Sequence, residues 1–410
     1  MHVLLIHQAF ASPEQPGGTR HYELASHLVE QGHACTIIAS DRSYLTGERF
    51  VDSTNAASAP GARRVLIRRV YTYPSLHRSF VWRVVSFLSF MLTSLWAALR
   101  TEPIDLVVGT SPPIFQAVSA WLVAAVRRRP FLLEIRDLWP EFAIGLGVLK
   151  NPLLIALSSW LEAFLYAQAT HILVNSPAYV TYLVNKGIPA AKVSLIANGV
   201  DPSMFDPQAD GQAMRQELAL GDKFVVTYAG ALGLANDIET IIRTAARLRE
   251  EPAIHFLLVG DGKERIPLEQ QARDLALTNV TFAGSRPKTC IPDVLAASDA
   301  CVATLRDIPM FRTTYPNKIF DYMAAGRPTV LAIDGVIREV VEAARGGLYV
   351  PPGDDAALAA AVQRLAQDRQ QSQAMGTAAR TYVVEHFNRH RQAEQFLELV
   401  QRLAARGSTR

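Results

Sequence analysis

The chain has 410 residues, of which 49% are hydrophobic and 19% charged, and its formal net charge is +3. That length suits two domains of moderate size, and that composition excludes an intrinsically disordered chain. Three scattered cysteines, Cys35, Cys290 and Cys301, have no metal-binding spacing and fit a reducing compartment rather than a disulfide framework.

The first residues, Met1 to Ile6, read as a buried strand and not as a basic leader. Short apolar runs predict further strands in chain order. Val3–His7, Cys35–Ala39, Val65–Arg68, Asp105–Gly109, Phe131–Ile135 and Ile172–Asn175 form one series. Phe224–Ala229, His255–Val259, Val280–Ala283, Ala300–Ala303 and Thr329–Ala332 form a second. Helical patterns fill most intervals, the rhythm of parallel sheets with crossover helices. Two such series predict two doubly wound α/β domains. Pro189, Asn198-Gly199 and Pro202 place the join between Ile188 and Asp206. A last helix near Arg389 to Ala405 carries Ala393, Phe396, Leu397, Val400 and Leu403 at helical spacing, and could close the second domain or return to the first.

Charge is unevenly spread. Residues 53–101 hold seven arginines (Arg63, Arg64, Arg68, Arg69, Arg78, Arg83 and Arg100) and no acidic residue, and Arg127-Arg128-Arg129 follows. Either a solvated basic face or attraction to an anionic surface accounts for this. Phe80 to Leu99 carries one charge, Arg83, over 20 residues. As a helix it would reach ~30 Å, enough to cross a bilayer. Arg83, Ser86, Ser89 and Thr93 form a narrow polar stripe, which ranks a helix lying on the membrane first, a core helix second and a span third.

Glycines mark candidate phosphate loops. Gly17-Gly18 precedes the helical pattern from Tyr22, although a tight turn explains a lone glycine pair as well. Gly230, Leu232 and Gly233 end one strand and lead to a helix near Asp237, and Gly260-Asp261-Gly262 ends the next. Neither loop fits GxGxxG, so a dehydrogenase is disfavoured. Thr313-Thr314-Tyr315-Pro316-Asn317-Lys318-Ile319-Phe320-Asp321 then opens a helix after the proline. Lys318 and Asp321 share a face there: a lysine suits phosphate and a carboxylate suits ribose hydroxyls, while a surface ion pair is the plainer reading.

Tyr315 to Pro328 resembles the donor-binding signature of glycosyltransferase family 4. It has a proline, a lysine, an acidic residue, Tyr322-Met323-Ala324, then Gly326-Arg327-Pro328. Asn198-Gly199-Val200-Asp201 with Phe205 is similar to that family's entry into its C-terminal domain. Asp137-Leu138-Trp139-Pro140-Glu141 resembles a bacterial branch that builds O-antigen, capsule or exopolysaccharide.

The resemblance implies the GT-B fold, with two Rossmann-like doubly wound domains facing a cleft. Residues 1–197 would bind the acceptor, 198–385 the nucleotide sugar, and 386–410 would form a terminal helix. It implies a retaining transferase that uses no metal and no cofactor, with a nucleotide-sugar donor, by analogy UDP-linked. The acceptor would be a polyprenyl-diphosphate-linked glycan, met by a chain peripheral to an anionic membrane at its cytoplasmic face; no nucleic acid partner is expected. Beside what the resemblance implies, the candidate catalytic residues are Asp137, to orient the acceptor or donor sugar, Arg136, to support charge, and Lys318, at the leaving diphosphate. Donor contacts are expected from Gly17, Gly18, Gly230, Leu232, Gly233, Gly260, Asp261, Gly262, Arg286, Arg312, Thr314, Tyr315, Asn317, Lys318, Ile319 and Asp321.

Three positions depart from the family pattern. Asp321 matches the second acidic residue of Glu-x7-Glu, but Thr313 stands at the first. The loop Gly233-Leu234-Ala235-Asn236 lacks the family's arginine and lysine, for which Lys318, Arg312 or Arg286 would substitute. Arg136 replaces an N-domain histidine. Asp137 reads equally as a helix N-cap before Leu138. A UDP-sugar 2-epimerase of the same architecture, or a non-catalytic nucleotide-sugar-binding protein, are the competing functions.

Overall fold

The computed structural model describes residues 1–43, 47–50, 65–74 and 80–408. The chain divides into two compact units. The first joins Met1–Ala11, Gly18–Ala197 and His390–Arg410, and the second joins Ser12–Gly17 and Asn198–Arg389. Gly17 therefore groups with the second unit and Gly18 with the first.

In the first unit, seven parallel strands lie in the order β3-β2-β1-β4-β5-β6-β7. They are β1 (His2–Ile6), β2 (Ala34–Ser40), β3 (Leu66–Val70), β4 (Leu106–Ser111), β5 (Phe131–Ile135), β6 (His171–Val174) and β7 (Val193–Leu195). Helices α1 (Arg20–Glu30), α2 (Phe80–Leu99), α3 (Ile114–Arg127), α4 (Glu141–Gly145), α5 (Pro152–Gln168) and α6 (Pro177–Asn185) connect them. Strands β4, β5 and β6 are buried along their whole length, which is why they read as unbroken apolar runs. Strand β7 did not show in the sequence: it has three residues at the sheet edge and is only partly buried. Close seating of α3 requires Gly109, where a Cβ would lie 2.5 Å from that of Ala120.

The second unit has six parallel strands in the order β10-β9-β8-β11-β12-β13. These are β8 (Phe224–Ala229), β9 (Ile254–Val259), β10 (Val280–Gly284), β11 (Ala300–Thr304), β12 (Thr329–Ala332) and β13 (Gly347–Tyr349). The helices are α7 (Gln212–Glu217), α8 (Ile238–Arg247), α9 (Arg265–Asp274), α10 (Ile291–Ala296), α11 (Asn317–Ala324), α12 (Val336–Ala343), α13 (Asp355–Gln367) and α14 (Arg369–His386). Strand β13, also three residues at an edge, escaped the sequence reading for the same reason as β7.

The last helix, α15 (Arg389–Ser408), belongs to the first unit from His390 onward. It buries Ala393, Phe396, Leu399, Val400 and Leu403 in that unit's core beside Ile196. Leu397 of the expected stripe packs only at the margin.

The basic cluster is partly spent inside the fold. Arg63, Arg64 and Arg78 lie outside the described residues. Arg68 donates to Ala97 O (3.1 Å) and Arg69 to Ser40 O (2.9 Å), and the Arg69 guanidinium lies 4.1 Å from the Phe50 ring centre. Arg83 and Arg100 are exposed. Three of the four residues of the expected polar stripe of α2 turn toward the chain: Ser86 is buried, Ser89 donates to Ser86 O, and Thr93 donates to Tyr71 O. Val81 to Leu99 is long and apolar enough to cross a membrane by length and composition alone.

Both sheets reverse strand order where a central strand pairs on two sides, β1 with β2 and β4, and β8 with β9 and β11. Connections leave to opposite faces there, so the carboxyl ends of those strands open a crevice. In the second unit the crevice is lined by backbone. Gly260 (φ 149°) would place a Cβ 1.8 Å from Gly230 O, and Gly262 (φ 157°) one 2.4 Å from Leu232 O. Gly260→Ala should therefore destabilise the second unit by well over about 1 kcal/mol, since the side chain meets backbone and an unfavourable φ together. The check is a lowered melting transition; an unchanged melt would refute the packing argument.

Candidate active site

In the second unit the crevice centres on Lys318, the second residue of α11. Pro316 precedes the helix and no side chain caps it, so its first-turn N–H groups point their partial positive charge outward. Lys318 Nζ donates to Tyr228 Oη (2.6 Å) and to Asn236 Oδ1 (3.0 Å), and sits 4.1 Å from the Tyr228 ring centre. Tyr228 in turn donates its O–H to Ala231 O at 2.8 Å. Both partners of the amine are neutral. Burial pushes the Lys318 amine down to about 7. Gly230 leaves room for it, because a Cβ there would lie 3.0 Å from both Cε and Nζ.

Asp321, one turn on, does not pair with Lys318. Its carboxylate accepts from Lys288 Nζ at 2.6 Å, with both side chains largely buried. Lys288 also donates its backbone N–H to Gln15 O (3.3 Å), and Thr289 N donates to Pro13 O (3.2 Å), so this segment holds the loop that carries Gly17.

The structure thus gathers Gly230, Gly233, Gly260, Gly262 and Lys318 with Tyr228 and Asn236, two residues the sequence reading missed. Asp261 is held at the rim by Arg265 Nη1 (3.0 Å) and Gly262 N (2.7 Å). The side chains of other expected residues have partners within the chain or stand at the surface. The side chains of Leu232 and Ile319 are buried, that of Leu232 within the apolar core. Thr314 spends its hydroxyl on Phe311 O, and Tyr315 packs on Phe320 and Phe387 while its carbonyl accepts from Asn198 Nδ2 (2.7 Å). Asn317 is exposed at the start of α11. Arg286 is engaged by Glu217 (2.6 Å), and Arg312 by Asp307 (3.2 Å) and Asp334 (3.8 Å). Thr313 Oγ1 donates to Met310 O, an internal bond of the loop before α11.

In the first unit a buried polar cluster lies under the carboxyl end of β5. Glu134 accepts from Arg20 Nε (3.1 Å) and His21 Nε2 (2.6 Å), both at the start of α1. Arg20 also donates to Ile196 O (2.8 Å) and Ala197 O (2.7 Å). The His21 ring stands 4.4 Å from that of His7, which pairs with Thr110 Oγ1 at 2.8 Å. Burial opposes ionisation of Glu134, but His21, Arg20 and Arg136 outweigh it and hold its carboxyl well below the usual range. Burial also lowers His21 and, aided by Arg136, His7. Arg20 alone guarantees a charged partner, so Glu134 is ionised, and toward this carboxylate the His21 Nε2 can only donate. A glutamate inside Phe131-Leu132-Leu133-Glu134-Ile135 is the one signal that could have revealed the cluster, since a charge in a doubly buried strand must find a partner.

Arg136 and Asp137 follow β5 directly. Arg136 donates its N–H to Ser111 O (2.8 Å) and Nη2 to Pro112 O (3.0 Å), fixing this loop against the end of β4. Burial raises the Asp137 carboxyl to about 6 against the opposing pull of Arg136. Asp137 is not a helix cap: α4 begins at Glu141 with Pro140 in the cap position. Among the described residues no group of three or more His, Cys, Asp or Glu gathers as a metal site would.

Glu134→Gln should cost roughly 3–5 kcal/mol at neutral pH by leaving Arg20 buried without its carboxylate. Because the folded-state pKa is depressed, the wild-type advantage is present above about pH 4 and fades as pH falls below it. Melting curves of both proteins across this range test it; a pH-independent gap would refute the ionic assignment.

The family model for glycosyl transferases group 1 matches residues 223–368, and that for a glycosyl transferase 4-like domain matches residues 17–199. WcaI of Escherichia coli (strain K12), named as a glycosyl transferase of colanic acid biosynthesis, is 26% identical over 344 residues, 81% of this chain and 83% of WcaI. The amylovoran biosynthesis glycosyltransferase AmsK of Erwinia amylovora is 28% identical over 244 residues, 58% of each chain. Among solved structures, Anabaena HepE in complex with UDP and glucose superimposes with a TM-score of 0.73 at 21% identity, covering 98% of this chain and 100% of HepE. Sucrose-phosphate synthase from Thermosynechococcus elongatus gives 0.78 at 22%, covering 98% and 99%.

Proposed function

Because this chain belongs to the group 1 glycosyl transferases and is a glycosyltransferase of the two-domain GT-B fold, we infer that it moves a hexosyl or N-acetylhexosaminyl group from a UDP-sugar to a lipid-linked glycan, with retention of configuration. The setting proposed is bacterial exopolysaccharide or lipopolysaccharide O-antigen synthesis, at the cytoplasmic face of the membrane. Relatives named for colanic acid and amylovoran biosynthesis support the setting. A neighbour solved with UDP and glucose supports the nucleotide.

One observation carries the reading. The Lys318 amine is half-buried with only neutral acceptors, at the uncapped N-terminus of α11 and against the glycine-lined edge of β8 and β9. A diphosphate supplies the negative charge this arrangement lacks. As the glycosidic bond to it breaks, the sugar becomes cation-like and the diphosphate gains charge, which the ammonium and the helix N–H groups stabilise. Asp321, oriented by Lys288, presents a carboxylate to ribose hydroxyls. In the first unit Arg136 and Asp137 orient the reacting sugar and its acceptor. The departing phosphate takes the acceptor proton on the same face, so no protein nucleophile and no metal is invoked.

Two measurements test this. An anion at Lys318 restores its protonated form, so donor binding takes up a proton above pH 7. Affinity should be flat below about pH 7 and fall by up to about tenfold per unit above it. Lys318→Ala should remove that dependence and weaken binding by ~1.5–3 kcal/mol; titration calorimetry of UDP-sugars reads both, and equal affinity would remove Lys318 from the site. Asp137→Asn should lower turnover by about 10² with little change in melting temperature, as loss of an orienting group does. An unchanged rate would exclude Asp137 from the reaction.

A further inference from the structure

Helix α5 has its polarity reversed. Its single charged residue, Glu162, is 2% exposed and faces inward, accepting from Tyr166 Oη (2.6 Å) and Lys186 Nζ (2.6 Å). Its outward side carries Leu153 (74% exposed), Leu157 and Trp160 (60% exposed) at helical spacing. A helix facing water has the opposite arrangement. Asn151 caps its start, accepting from Leu153 N (2.9 Å) and Leu154 N (3.2 Å), so the apolar side is held in regular helix from its first turn.

The face continues across two neighbours. Trp160 stacks on Phe164 (5.6 Å), which meets Trp121 of α3 edge-on (4.8 Å), and Phe115 of α3 stacks on Phe87 of α2 (6.1 Å). Beyond that seam α2 exposes Leu92 (61%) and Trp96 (60%). Three helices of the first unit thus present apolar side chains outward, well beyond the isolated exposed leucine that needs no explanation.

We propose that this face of α5, α3 and α2 docks on an anionic phospholipid bilayer, the helices lying in the interface plane. The charges at its border decide the occupant. Neither α2 nor α3 contains an acidic residue, and the one in α5 is buried. Arg83, Arg100, Arg128 and Lys150, on or beside the helix ends, are exposed, against one exposed carboxylate there, Glu102 just past the end of α2, so the border is net basic. A second copy would bring like charges together, whereas anionic headgroups complement them. The Arg100 guanidinium lies 3.9 Å from the Trp96 ring centre, a pairing that sets an aromatic ring at headgroup depth with a cation above it. The surface gains its role from the lipid-linked acceptor reading and rests on it there, but its test reads the surface alone.

The test is vesicle flotation of the full chain with phosphatidylcholine vesicles, with and without phosphatidylglycerol. Wild type should float with the anionic vesicles and at least about tenfold less with phosphatidylcholine alone. Leu157→Ser/Trp160→Ser should cut the bound fraction at least about tenfold, with melting temperature and UDP-sugar affinity unchanged. Arg83→Glu/Arg128→Glu, which alters charge and no apolar contact, should cut binding to the anionic vesicles in the same way. No flotation of wild type, equal flotation of the variants, or a concentration-dependent dimer abolished by Trp160→Ser would each overturn the proposal. Flotation by a chain that binds no UDP-sugar would uphold the surface while refuting the donor assignment.

Discussion

Both faces of each parallel sheet must be covered, and that constraint decides where polar chemistry can go. Strands β4 to β6, and β8, β9, β11 and β12, are buried along their length. Polar side chains in them carry a desolvation cost unless every group finds a partner. The strands' carboxyl ends, where order reverses and connections part, are where backbone N–H groups and helix N-termini can turn toward a ligand. Glycines 230, 260 and 262 sit there because any side chain would fill the space.

Two lysines of the second unit show how partners divide roles. Lys288 meets the Asp321 carboxylate at 2.6 Å and ties the Gly17-bearing loop through its backbone. Its charge is answered within the chain, and its work is to orient. Lys318 meets a phenol and an amide oxygen, which solvate an ammonium without neutralising it. Burial then depresses its pKa to about 7, so little free energy separates its two protonation states near neutrality. An amine in that condition responds strongly to an incoming anion, whereas one already paired does not.

Much of this was legible in the sequence, for identifiable reasons. Eleven strands showed as apolar runs, most plainly β4 to β6, β8, β9, β11 and β12, where burial on both faces removes the alternation that would blur them. Strands β7 and β13 did not, being three residues each. Lys318 and Asp321 were visible through local spacing on one helix, but their partners were not. Tyr228, Asn236 and Lys288 reach them from 90, 82 and 33 residues away. Arg68 and Arg69 were read with a basic surface because composition cannot distinguish a guanidinium facing solvent from one tethering Ala97 or Ser40. Helix α5 went unremarked for a related reason: its composition is that of a core helix, and only packing shows that its charged residue points inward.

The two carboxylates around the end of β5 differ most instructively. Glu134 and Asp137 are three residues apart and both feel Arg136, yet their acidities move in opposite directions. Glu134, inside the strand, has Arg20 and His21 within hydrogen-bonding distance, and these outweigh its burial. Asp137, just past the strand, is desolvated with Arg136 as its one opposing influence, and its carboxyl rises to about 6. Environments that separate two acids in this way separate their roles. Glu134 stays ionised throughout the neutral range and can only anchor, holding the start of α1 to β5 and to the carbonyls of Ile196 and Ala197. Asp137 changes protonation close to neutrality, so of the two it is the one able to exchange a proton or a hydrogen bond with a reacting group. The chain bends away from the sheet between them, at Arg136, whose backbone N–H is held by Ser111 of β4. Strand pairing therefore fixes Glu134 and leaves Asp137 outside the sheet within one turn of chain.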